Sequence, residues 1–117
     1  MVKIETAKGS ISISTEVFTN IAGYAATRCF GVKGMAGKAK ESGFYQLLRR
    51  ESMSKGVSVS FNEDNSASIE LHIIVEHGVN LSTIGESIIS EVTYKVSEAT
   101  GITVREVKVF IDNMMIG

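Results

Sequence analysis

The sequence predicts an α+β fold: a two-layer sandwich with two main helices packed on one face of a mixed, mostly antiparallel sheet, in the order β-α-β-β-β-α-β. Three observations predict it. Two segments carry apolar residues at helical spacing along one side. Other segments alternate apolar and polar residues, as half-buried strands require. The second helical segment lies between two strands, which should therefore run parallel, joined by a right-handed crossover. The 117 residues are read as one domain over 1–117, and 44% apolar with 21% charged residues is ordinary globular composition.

Taken in order, Gly9-Ser10-Ile11-Ser12-Ile13-Ser14 alternates and reads as the first strand. Ser14 stands where a helix N-cap is wanted, and Glu16 suits the positive helix end that follows. Val17, Phe18, Ile21, Ala25 and Cys29 recur at helical spacing and predict a helix over about 15–29, ended by Gly31. Gly23 inside it costs ~1 kcal/mol against alanine and signals close approach of a neighbouring backbone. A small strand is expected before the hairpin. The stretch from Gly34 to Gly43 has no clear period, and Phe44, Leu47 and Leu48 predict a short helical turn pinned to the core.

Val57 to Phe61 and Ile69 to Glu76 alternate on either side of the loop Asn62–Ser66, which predicts a β-hairpin. Ile69, Leu71, Ile73 and Val75 should share one face, and Glu70, His72, Ile74 and Glu76 the other. Asn80 caps the second helix, with Leu81, Ile84, Ile88, Val92, Val96 and Ala99 on one stripe and Gly101 as a left-handed C-cap. Val104 to Ile111 forms the last strand, turning Val107, Val109 and Ile111 inward.

Twelve basic and thirteen acidic residues give a net charge of −1. That argues against nucleic acid as an obligatory partner, because phosphate neutralisation needs a basic surplus. The charge is unevenly placed: residues 33–55 carry a net +4 and the remainder −5, which favours head-to-tail association. One cysteine cannot form an internal disulfide or a thiolate metal site. With neither a secretory h-region nor a long apolar run, the expected compartment is the cytoplasm, and membrane contact is indirect.

Candidate chemistry is sparse. Glu70, His72 and Glu76 share a strand face, but a zinc site wants three or four converging ligands, and His77 is the one other histidine. The three read as a solvated outer face available to a protein partner. Cys29, on an apolar helix face, reads as an inert thiol. No nucleophile elbow and no phosphate loop is present, so no catalytic residue, metal or cofactor is expected. Gly34-Met35-Ala36-Gly37 among lysines matches the Gly-x-x-Gly loop of KH domains and keeps single-stranded RNA as an alternative ligand. No apolar-periodic helix follows it, however, and the alternative is a surface loop. Lys38, Lys40, Arg49 and Arg50 form a basic candidate patch, and Tyr94 an apolar one on the polar side of the second helix. Met114-Met115-Ile116 either folds on the sheet edge or meets a partner.

Residues Gly9 to Ser14 with Glu16-Val17, then Ile21-Ala22-Gly23, Gly31-Val32, Gly34-Met35, Lys55-Gly56-Val57, Val75-Glu76-His77-Gly78-Val79-Asn80, and Thr100-Gly101 with Val104, Val107 and Val109 follow one another in a familiar order. Together they resemble the alkaline-shock (Gls-type) envelope stress response proteins of Gram-positive bacteria, from about residue 8 to 112. The resemblance implies a cytoplasmic, non-enzymatic α+β domain that self-associates. Some such proteins gather at the inner face of the membrane through a separate membrane-anchoring protein, and others sit near fatty-acid or lipid metabolism in a regulatory role. The family brings no catalytic residues. His77 stands where tyrosine is common, and Ile89 and Tyr94 replace polar residues of the second helix.

Overall fold

The computed structural model describes residues 1–36 and 56–116. Strands β1 (Val2–Thr6) and β2 (Gly9–Ile13) form an antiparallel hairpin closed by the two residues Ala7 and Lys8. Helix α1 spans Thr15–Thr27, followed by strands β3 (Val32–Met35), β4 (Val57–Phe61) and β5 (Ala67–Glu76), helix α2 (Leu81–Thr100) and strand β6 (Val104–Met115). The class is α+β as expected, with β1 added at the front. The first predicted strand therefore belongs to a separate two-stranded sheet, not to the main one.

The main sheet is built around β5. One edge of β5 pairs in parallel with β6 along its whole length, the topology that α2 as a crossover requires. The other edge is shared end to end by two antiparallel strands: β4 opposite Ala67–Leu71 and β3 opposite Ile73–Val75. His72 sits at their junction, its N–H donating to the Gly56 carbonyl at 2.8 Å and its carbonyl accepting from the Ala36 N–H at 2.8 Å. Ala36 and Gly56 thus meet on this edge through the two main-chain groups of His72. The expected turn at Phe44, Leu47 and Leu48 lies outside the described residues.

The alternation of β5 is realised: Ile69, Leu71, Ile73 and Val75 are buried beneath the helices, whereas Glu70, His72, Ile74 and Glu76 are on the open face. Phe18 and Ala22 of α1 and Ile84, Ile88, Val92 and Val96 of α2 complete the core. Phe18 meets Phe61 edge to face, with ring centroids 5.0 Å apart, the favoured arrangement for two aromatic quadrupoles.

Several local expectations shift. Ser14 occupies the N-cap in an extended conformation, but its hydroxyl makes no capping bond; its carbonyl accepts from the Val17 N–H instead. Helix α1 stops at Thr27, and the Cys29 N–H closes on Ala26, a tight three-residue turn short of Gly31. Val17 is exposed, because the buried stripe runs through Phe18, Ala22, Ala25 and Ala26, one position round the helix. On α2, Asn80 caps as predicted by accepting the Thr83 N–H at 2.9 Å, and Gly101 takes the left-handed C-cap. Leu81 and Ala99 are exposed, however, and Thr100 is buried in place of Ala99. Its hydroxyl donates to Val96 and accepts the Ile102 N–H, so no polar atom is orphaned there. Strand β6 continues beyond Ile111, and Met114 and Met115 pair with Val75 and Glu76. The C-terminal apolar residues up to Met115 are strand, not tail.

Candidate interaction surface

The helices cover one face of the main sheet, and the alternate residues of β4, β5 and β6 line the other. Register places Ser60, Ser68 and Glu106 in one row, Ser58, Glu70 and Lys108 in the next, and His72 with Phe110 in the third. Between the first two rows lies an open depression of about 330 Å³, floored by Val59 and Ile69. His72 and Phe110 stack across the strands with ring centroids 4.7 Å apart and planes 10° from parallel. A bulge puts Asp112 and Asn113 together opposite Ile74, and such an extra residue re-aims a side chain. Here it turns the Asp112 carboxylate onto His72, with Oδ2 3.0 Å from Nδ1. Glu70 approaches the other ring nitrogen at 3.9 Å. His72 is therefore held by an aromatic ring and two carboxylates on a half-exposed sheet face.

Of the residues singled out from sequence, the structure brings Glu70 and His72 together. Glu76 lies at the far end of β5 beside Met115, exposed and apart from His72. Tyr94 is 59% exposed on α2, in the helical layer on the opposite side of the sheet. Gly34 is a strand residue of β3 paired with Ile74, so the Gly-x-x-Gly stretch begins in the sheet and not in a loop. Gly37, Lys38, Lys40, Arg49 and Arg50 lie outside the described residues. Sequence reasoning missed Lys108, Phe110 and Asp112. The inward set Val107, Val109 and Ile111 implied that the alternate residues face out, but only the pairing register shows that they meet His72.

Cys29 belongs to the other layer. Its thiol donates to the Ala25 carbonyl at 3.5 Å, and burial pushes its pKa up, with Glu91 adding to the rise and a hydrogen bond with Ser87 opposing it. Cys29 and His72 are on opposite sides of the sheet and cannot act as a thiolate–imidazole pair. Because a raised pKa lowers the thiolate fraction at any given pH, iodoacetamide at pH 8 should alkylate folded Cys29 several-fold more slowly than the unfolded chain. Equal rates in buffer and in denaturant would contradict this.

Asp64 organises the hairpin loop. Its carboxylate accepts from the Ser66 hydroxyl at 2.6 Å and the Ser66 N–H at 3.1 Å, and these bonds hold its pKa below the usual range. The Asn62 amide spans the same turn, reaching the Ser66 and Ser68 hydroxyls. This end of the sheet is fixed locally.

Among the described residues, no helix is long and apolar enough to cross a membrane, and no three histidine, cysteine, aspartate or glutamate side chains converge as a metal site would need. No solved structure matches the chain. The uncharacterized protein YloU of Bacillus subtilis is 33% identical over 116 residues, covering 98% of this chain and 96% of that protein. The uncharacterized protein Spy1614 of Streptococcus pyogenes is 34% identical over 116 residues, covering 98% and 95%. Residues 3–116 match a family described by its cell envelope-related function, and the chain belongs to it: the alkaline shock protein 23 family.

Proposed function

We propose that the chain is a non-enzymatic cytoplasmic scaffold in cell-envelope homeostasis, acting by self-association and by docking to a membrane-anchored partner. The observation that carries this reading is the family match across nearly the whole chain, with its cell envelope-related function. Two features support it. The open sheet face offers an aromatic–imidazole stack among charged side chains, a surface suited to recognition. The division of charge between residues 33–55, at +4, and the remainder, at −5, supplies attraction between copies.

Light scattering across a concentration series at low and high salt tests the reading. Assembly is expected at low ionic strength and should weaken as salt screens the opposed charges. Crosslinking in the native cell should recover a membrane-anchored protein. A strict monomer at every concentration, with nothing crosslinked, overturns the proposal.

A further inference from the structure

Among the described residues β6 pairs with β5 and with no other strand, so none of them pairs with the outer edge of this twelve-residue strand. An open edge presents unpaired N–H and C=O groups to any chain that can align with it, and proteins commonly blunt such edges with proline, charged side chains, β-bulges or a covering element. Here bulges flank the centre of the edge and charged residues occupy it, in a pattern that is complementary to itself. The sequence contains no proline, and the exposed charges at the centre of the edge are of opposite sign, Glu106 and Lys108. Register shifts fall at Arg105 and Asp112, which leaves Glu106–Ile111 as a regular stretch.

The geometry points to a second copy of this chain as the occupant of that edge, docked antiparallel about a two-fold axis through Val107. This rests on the self-association proposed above and names its surface. In that register each Glu106 stands directly opposite the Lys108 of the other copy, on the open face of the sheet. Directly opposed residues of antiparallel strands have Cβ atoms about 5 Å apart, within reach of an ion pair. The symmetry makes the contact twice, so one local sequence of opposite charges is complementary to itself. Shifting the two-fold axis to Lys108 would set the two lysines against each other, and shifting it to Val109 would set Glu106 against Asp112. The Val107 register avoids both. The two sheets would then become continuous, with the helices of both copies on one side and both His72–Phe110 stacks on the other.

Charge reversal with rescue tests the interface. Lys108→Glu opposes two pairs of carboxylates and Glu106→Lys opposes two pairs of ammonium groups; each should weaken association by about tenfold or more. The double swap Glu106→Lys with Lys108→Glu restores opposite charges at the same positions and should return association to near the starting value. Disulfide trapping reads the same register without relying on charge. Equal amounts of Glu106→Cys and Lys108→Cys chains, both also Cys29→Ser, should form the mixed disulfide faster than either forms its own dimer. A starting chain that remains monomeric overturns the self-association reading and this interface with it. A chain that associates but is indifferent to both reversals, or whose mixed disulfide has no advantage, overturns β6 as the interface and leaves self-association standing.

Discussion

Phe18→Ala is expected to destabilise the protein by about 3–5 kcal/mol, the cost of deleting a buried aromatic side chain and leaving a cavity behind. Phe18 is the largest of the fully buried side chains among the described residues. It reaches from α1 to Phe61 at the end of β4, so its loss loosens the contact between the helical layer and the sheet edge. Since a domain of this size has roughly 5–15 kcal/mol in total, the variant should unfold at markedly lower denaturant or not fold stably at all. Phe18→Leu keeps most of the volume and should cost about 1.5 kcal/mol or less. A urea titration separates the two, because the midpoint should fall in the order native, leucine, alanine with little change in slope. An alanine variant within 1 kcal/mol of the native chain would mean that the α1–β4 contact is not a keystone of the core.

Most of the framework was legible because burial here follows simple periods. The alternation in β5, the i, i+4 stripe of α2, the Asn80 cap and the Gly101 C-cap each needed nothing beyond their own segment. What failed had a different cause in each segment. Strand β1 alternates Val2 and Ile4 with Lys3 and Glu5, but Ala7-Lys8 is not a strong turn signal and the hairpin went unseen. The stripe of α1 was assigned to Val17 because large residues weigh most in a periodicity count, whereas small Ala22 and Ala26 are what face the core. The last strand was expected to end at Ile111, and in the structure Asp112-Asn113 is a bulge within a strand that continues to Met115.

The candidate surface was half legible. Glu70 and His72 share a strand face by period two, a local fact. Phe110 and Asp112 join them through the parallel pairing of β6 on β5, and a one-residue slip in that pairing would send Phe110 to the helix side. The grouping of these side chains thus resides in a register that no single segment encodes. Among the described residues, the same pairing leaves the outer edge of β6 without a partner strand.

Gly56→Ala should be nearly as damaging as the loss of Phe18, at about 3 kcal/mol, or roughly 10 °C in Tm. Gly56 has φ +75°, a conformation that costs an L-residue about 1–2 kcal/mol. A Cβ there would lie 2.7 Å from the Ala36 carbonyl oxygen and 3.0 Å from that of His72. Both are backbone atoms, one in β5 and the other one residue past β3, so relief requires moving the junction of β3 and β4. That movement weakens the bonds from Ala36 N–H to His72 and from His72 N–H to Gly56, each contributing about 1 kcal/mol net. Gly101→Ala is the control: φ is +76°, but nothing lies within 4 Å of the added carbon, so only the backbone cost of about 1–2 kcal/mol applies. The two variants should therefore differ in thermal midpoint, with Gly56→Ala the lower. Because the disturbed bonds belong to His72, amide exchange at His72 should quicken in Gly56→Ala more than in Gly101→Ala. Equal midpoints would show that the end-to-end packing of two strands on one edge of β5 does not require the absence of a side chain at residue 56.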